Sequence, residues 1–182
     1  MDAMTRLPVH TNADVHLADA FGEPGCPLCR ERDRAEEAWL ESILAESVND
    51  VPFRHALDAA RGFCGRHAAA VLDADRRRAG SLGAAILLQA ALVPRLRELE
   101  AVHAARGWTR TRRMTEAAHP PACPACERSA HTDAGRAESV VKLTADPAWA
   151  EAVAAAPVCL EHLVALMGVR PAPGAWRSKS VV

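Results

Sequence analysis

The sequence has no tyrosine, only three phenylalanines and four tryptophans, and few runs of β-branched residues. Strands are usually rich in these residue types, so their scarcity argues against a fold built on a sheet. Hydrophobic residues still make up 49% of the chain and charged residues 25%, which is ordinary for a globular domain. Alanine, the strongest helix former, is abundant. We therefore predict an all-α fold.

A long apolar run is also missing. The most apolar stretch, residues 84–93, is too short to cross a bilayer. Residues 1–20 lack the basic flank and apolar core of a secretory signal. The net charge of −1 gives no general attraction to nucleic acid or to an anionic membrane. We therefore expect a cytoplasmic protein without membrane contact, where cysteines are kept reduced.

The six cysteines form two sets of the same design. CPLC at 26–29 precedes GFCGRH at 62–67, and CPAC at 123–126 precedes PVCLEH at 157–162. The two CPxC motifs are offset by 97 positions and the two CxxH motifs by 95. Each set also has an Asp and a Pro in the turn between its motifs. This matched spacing predicts an internal duplication.

Three cysteines and one histidine are a ligand set for a closed tetrahedral zinc site. Helix starts would carry these ligands, where the positive end of the helix dipole favours thiolates. Iron–sulfur clusters are the lesser alternative, since most take four cysteines. We predict two zinc ions, each held within one repeat, by Cys26, Cys29, Cys64 and His67 and by Cys123, Cys126, Cys159 and His162. Pairing across the repeats stays open, but each repeat contains a complete set.

Helical periodicity divides the chain further. Pro52 suits the first turn of a short helix, and Gly62 suits the left-handed position after its end. We predict a duplicated helical bundle with two pseudo-symmetric halves, each clamped by a Cys3His metal site. The expected segments are a flexible N-terminal segment (1–21), a first helical repeat with its metal site (22–105), a connector (106–122), a second, shorter repeat with its metal site (123–168) and an irregular tail (169–182).

The motifs resemble those of an uncharacterised bacterial family, domain of unknown function 6062. The resemblance rests on CPLCRERDRAEEAWLESILAESVNDVPFRHALDAARGFCGRH, followed by CPAC and VCLEH, and covers roughly residues 22–168. The second copy departs from the first where Pro157-Val158 replaces Gly62-Phe63. This difference affects the loop and leaves the ligand set intact. The resemblance implies no known activity.

No phosphate-binding loop, nucleophile elbow or paired-carboxylate site occurs in the sequence, so we predict no catalytic residues and no organic cofactor site. A closed zinc site favours a binding or adaptor module over an enzyme. One alternative is a thiol redox or metal-responsive switch, in which CPxC releases zinc and forms a disulfide. Another is an enzyme between the halves that uses an iron–sulfur cluster or an exchangeable metal.

The expected partner is a protein or a small molecule. Nucleic acid is the lesser alternative, because one stretch of the connector is basic. That stretch contains Arg106, Arg110, Arg112 and Arg113.

Overall fold

A computed structural model of the chain describes residues 7–78, 82–119 and 121–169. All regular structure in these ranges is helical, so the all-α prediction is confirmed. The helices are α1 (Asn12–Phe21), α2 (Pro27–Ser42, continued by a π-helical segment Ile43–Ser47), α3 (Val51–Ala59), α4 (Gly65–Arg77), α5 (Gly83–Ala104), α6 (Gly107–Ala118), α7 (Pro124–Leu143), α8 (Pro147–Ala155) and α9 (Leu160–Gly168). In the described part of the chain, no helix combines the length and apolar character needed to cross a membrane.

The chain forms two compact units. The terminal unit consists of Met1–Ala35 and Ala130–Val182, and the central unit consists of Glu36–Ser129. Their boundaries fall inside α2 and α7, away from the predicted repeat limits. The units differ from the predicted repeats because α2 and α7 are long helices that each contribute residues to both units.

The terminal unit is built around Trp149, whose side chain is fully buried. Leu17, Leu28 and Val140 pack in the same cluster, and Phe21 meets the indole ring edge-on at 5.6 Å between centroids. The indole Nε1 donates a hydrogen bond of 2.8 Å to a backbone carbonyl before α1. This hydrogen bond satisfies the polar edge of the buried indole ring.

Helix α1 lies in the segment that was expected to be flexible. Thr11 and Asp14 form a capping box, in which each side chain accepts from the backbone N–H of the other residue. Leu17 and Ala20 then bury the inner face of α1. Capping and burial together explain why residues 12–21 are helical. Residues 1–6 lie outside the described residues, as do residues 170–182 of the predicted tail.

The central unit has an aliphatic core that joins α2, the π-helical segment, α3, α4 and α5. Its buried residues are Leu40, Ile43, Leu44, Leu57, Val71, Ala74, Ala84 and Leu87. Asp50 caps α3 by accepting from the N–H of Phe53 at 2.7 Å. Gly62, with φ of +93°, adopts the predicted left-handed conformation after α3. A Cβ at this position would lie 2.8 Å from Cβ of Ala91, so only glycine fits between α3 and α5.

Most of the predicted connector is helical, because residues 107–118 form α6. Two arginine side chains link α6 to α5. Arg113 donates to the carbonyl of Ala101 at 2.9 Å, and Arg95 donates to the carbonyl of Ala117 at 2.5 Å. Ala117 is the buried residue of α6. The connector is therefore packed against α5.

Candidate metal centres

The first cluster, site 1, lies in the terminal unit. It consists of Cys26, Cys29, Cys159 and His162. Nδ1 of His162 is 3.5 Å from Sγ of Cys26, 3.3 Å from Sγ of Cys29 and 3.2 Å from Sγ of Cys159. The Sγ atoms of Cys29 and Cys159 are 3.6 Å apart. All four ligand atoms lie within 4.8 Å of one another, so one ion can contact them all.

The second cluster, site 2, lies in the central unit and has the same composition. It consists of Cys64, His67, Cys123 and Cys126. Nδ1 of His67 is 3.1 Å from Sγ of Cys64, 3.5 Å from Sγ of Cys123 and 3.4 Å from Sγ of Cys126. The Sγ atoms of Cys64 and Cys126 are 3.8 Å apart. Each cluster therefore places three sulfurs around one imidazole nitrogen.

These separations match the edges of a zinc tetrahedron. Bonds of about 2.3 Å to sulfur and about 2.0–2.1 Å to nitrogen place two sulfurs about 3.8 Å apart, and a sulfur about 3.6 Å from the nitrogen. The measured S–S distances are 3.6 and 3.8 Å, and the S–N distances range from 3.1 to 3.5 Å. Soft thiolates with one imidazole are also the donors that zinc prefers. The two clusters therefore fit zinc in both geometry and chemistry.

The structure groups all eight predicted ligands, but the predicted pairing within each repeat is wrong. Each cluster joins the CPxC motif of one repeat to the CxxH motif of the other. The reason is the length of the helices that follow the CPxC motifs. Residues 27–47 and α7 each extend about 30 Å, whereas α3 and α8 are only about 13 Å long. To return to the CPxC motif of its own repeat, the chain would have to travel back about 30 Å. The helix before the CxxH motif, α3 or α8, covers less than half of that distance.

All ligands sit at helix starts, as predicted. Pro27 and Pro124 are the first residues of α2 and α7, so each CPxC motif wraps around a helix N-terminus. Cys64 and Cys159 are the N-caps of α4 and α9, with nearly equal φ and ψ angles of −66° and 165° and of −70° and 160°. Free N–H groups and helix dipoles therefore point toward the sulfurs in both clusters.

The cysteine pKa values diverge within each cluster. Burial acts to raise the pKa of Cys26, but the backbone N–H groups of Cys159 and Cys29 outweigh it and hold this pKa at about 7. Burial and the adjacent sulfurs raise the pKa of Cys29 to about 12. In site 2, burial also acts to raise the pKa of Cys64, but hydrogen bonds from the backbone and side chain of His67 and from Cys126 together outweigh it and hold this pKa at about 7. Three such close sulfurs need a cation among them before all can be thiolates.

Burial and the neighbouring sulfurs raise the pKa of Cys126 to about 11, although this residue is exposed as a whole. The nearby sulfurs therefore raise the pKa of Cys126 as they raise that of Cys29, which is the second cysteine of the other CPxC motif.

A carboxylate lies behind each histidine, and sequence reasoning missed both carboxylates. Nε2 of His67 is 3.1 Å from Oε2 of Glu36, which also accepts from the hydroxyl of Ser129 at 3.0 Å. Nε2 of His162 is 3.5 Å from Oδ1 of Asp133, without an aligned hydrogen bond. Such a carboxylate fixes the ring so that Nδ1 faces the metal. Their position in the sequence is the signal that could have identified them. Glu36 and Asp133 each follow the second cysteine of a CPxC motif by seven residues.

The two carboxylates support their histidines unequally. Burial acts to raise the pKa of Glu36, but hydrogen bonds from His67 and Ser129 and the positive charge of Arg66 lower it below its usual value. The Arg66 guanidinium contacts the same carboxylate oxygen. Glu36 is therefore charged and held in place, whereas Asp133 is held at a longer distance from its histidine.

We expect Glu36→Ala to weaken the zinc affinity of site 2 by about 10- to 100-fold, because the His67 ring loses the group that orients it. Asp133→Ala should have a smaller effect on site 1, given the longer contact. Competition with a chromophoric chelator of known affinity measures both effects. Glu37→Ala is the matched control, since Glu37 is exposed and pairs with Arg77 at 2.9 Å. Equal affinities in all variants would contradict this role.

An arginine covers part of site 1. Nη2 of Arg32 lies 4.0 Å from Sγ of Cys29, and Nη1 pairs with Glu161 at 3.4 Å and with Asp133 at 3.6 Å. Arg32 follows Cys29 by three residues, and the residue that follows Cys126 by three is Ser129. Site 2 therefore has a small hydroxyl side chain where site 1 has a guanidinium.

The four arginines of the connector that were the candidate contacts for nucleic acid are located at α6. Arg106 is the N-cap residue, and the others lie within the helix. Arg112 pairs with Glu116 at 3.2 Å and stacks over Trp108 at 5.9 Å. Arg113 donates to the carbonyl of Ala101. Two of the four side chains are thus engaged within the chain.

The comparison with family models matches most of the chain to an uncharacterised family. The model described as Family of unknown function (DUF6062) matches residues 10–173, which include all eight clustered cysteines and histidines. Searches of curated proteins and of solved structures gave no match.

Proposed function

We propose that this chain, which belongs to the Family of unknown function (DUF6062), is a zinc-binding protein that acts as a binding or adaptor module. Each Cys3His cluster would hold one zinc ion with a structural role. The proposal includes a cytoplasmic location, because the six unpaired cysteines act as ligands only where thiols stay reduced. The observation that carries the proposal is the tetrahedral spacing of ligand atoms in both clusters.

A structural role follows from the number of ligands. Each cluster offers four protein ligands, which fill the coordination sphere of zinc and leave no position for a substrate or water. Catalytic zinc sites normally keep one position open. The ligand set therefore favours ions that stabilise the fold.

The spacing also favours a single ion over an iron–sulfur cluster. In each site two of the sulfurs lie 3.6 or 3.8 Å apart, and all four ligand atoms lie within 4.8 Å of one another. A cluster with several irons needs its ligands spread around the whole cluster. One ion at the centre of each ligand set is the simpler fit.

A groove in the central unit supports the binding role. It lies between α3 and α5, has a volume of about 470 Å³ and is lined largely by apolar side chains, including Val51, Ala91 and Val93. Its polar groups are Arg54, His55 and Asp58. This volume lies within the range of small-ligand sites, and the groove is open to solvent. The proposed partner is therefore a small, largely apolar molecule with a polar group.

Elemental analysis of the full-length protein tests the metal assignment. Protein purified without added metal, under reducing conditions, should contain about two zinc ions per chain and little iron. Thiol titration of the native protein should be slow until a chelator is added. Protein without bound metal and with six freely titrating thiols would refute the proposal.

A further inference from the structure

We propose that Cys126 reacts with hydroperoxides before the other cysteines, and that its oxidation opens site 2 while site 1 stays intact. This inference rests on the proposed function, since it requires a zinc ion in each site. It assigns different chemistry to two clusters with the same ligands.

The first observation is accessibility. Cys126 is the one exposed residue among the six cysteines, whereas every ligand of site 1 is buried or partly buried. Oxidation of a thiolate follows its exposure as well as its charge. As a whole residue, Cys126 is therefore the most accessible of the six cysteines to a small oxidant.

The second observation is the group that lies next to the corresponding sulfur of site 1. The Arg32 guanidinium lies 4.0 Å from Sγ of Cys29, and its side chain is only 18% exposed. It covers that sulfur and places a positive charge beside a zinc site whose three thiolates leave a net charge of about −1. At the matching position in site 2, the hydroxyl of Ser129 donates a hydrogen bond to Glu36. Cys126 therefore lacks the cover that Arg32 gives to Cys29.

The third observation is a second sulfur within reach. Sγ of Cys64 lies 3.8 Å from Sγ of Cys126. In the proposed reaction, the Cys126 thiolate attacks one peroxide oxygen, an S–O bond forms and the O–O bond breaks. The sulfur is oxidised to a sulfenic acid by two electrons, which leave on the released alkoxide or hydroxide.

The Cys64 thiolate then attacks the oxidised sulfur of Cys126. An S–S bond forms, hydroxide leaves, and two thiolates and one hydroperoxide have become one disulfide with two oxyanions. The disulfide removes two of the four ligands of site 2. Site 2 then cannot hold its ion, whereas the ligands of site 1 are unchanged.

The test uses zinc-loaded, full-length protein and hydrogen peroxide. A chromophoric chelator follows the released zinc, and differential alkylation with mass spectrometry identifies the oxidised cysteines. We expect one of the two zinc equivalents to be released about tenfold faster than the other, together with a Cys64–Cys126 disulfide. Release of both equivalents at one rate, or oxidation that begins at Cys26, Cys29 or Cys159, would overturn the inference.

A variant that uncovers site 1 sharpens the test. Arg32→Ser should bring the slow zinc equivalent closer to the fast one. Arg30→Ser is the matched control, because Arg30 lies on the same helix and pairs with Glu23 at 2.6 Å. An unchanged slow phase in Arg32→Ser would overturn the shielding role. Protein that contains no zinc before peroxide is added would contradict the proposed function instead, so the two failures are distinguishable.

Discussion

Removal of zinc with a strong chelator is expected to unfold this protein at room temperature. A structural zinc site supplies about 10–16 kcal/mol in small peptides at neutral pH, whereas a whole domain is stable by only about 5–15 kcal/mol. Each unit has one Cys3His cluster and a modest hydrophobic core. Without the ions, the crowded sulfurs must also take up protons.

Circular dichroism at 222 nm, followed during chelation, measures this effect. Most of the helical signal should be lost, and added zinc should restore it whereas magnesium should not. Chelator already saturated with zinc is the control for direct effects of the reagent. A metal-free protein with an unchanged spectrum and melting temperature would show that the ions are dispensable for the fold.

Pairs of cysteine substitutions should give opposite zinc contents depending on which motifs share an ion. Cys29→Ser with Cys159→Ser damages site 1 alone, so the protein should keep about one zinc ion. Cys29→Ser with Cys64→Ser damages both sites, so it should keep none. Pairing within each repeat would give one retained ion for the second pair and none for the first.

The loss of helical signal in the same variants gives an independent answer. The losses from Cys29→Ser and Cys159→Ser should be far from additive, because either change alone destroys site 1. The losses from Cys29→Ser and Cys64→Ser should be close to additive, because the changes act in different units. Circular dichroism at 222 nm in the presence of zinc measures both. Additive losses in the first pair would contradict a shared ion.

Local features of this fold could be predicted from the sequence, because short-range chemistry determines them. Asp50 and Gly62 lie where the capping and turn preferences of their residue types place them. The ligand residues could be predicted for the same reason, because their spacing fits helix starts. The internal duplication stays a prediction, supported by the matching positions of Glu36 and Asp133.

The pairing of the motifs depends on longer-range geometry. The pairing follows from the lengths of α2 and α7. The spacing of the motifs in the sequence does not specify those lengths. Glu36 was missed because it belongs to a charged stretch of α2, where one carboxylate resembles its neighbours. Its partial burial and its contacts with His67, Ser129 and Arg66 distinguish it from the exposed Glu37. Helix α1 was not predicted because its capping box has Asp14 at the position where Glu or Gln is usual.

The crosswise arrangement of ligands also sets an order in which the chain can assemble. Cys123 and His67 are 56 positions apart, whereas Cys29 and Cys159 are 130 positions apart and enclose the first pair. Closing the longer loop costs about 0.7 kcal/mol more in chain entropy. All ligands of site 2 are also synthesised before Cys159. The ligand set of site 2 can thus come together first, and that of site 1 can close only after Cys159 and His162 have been made.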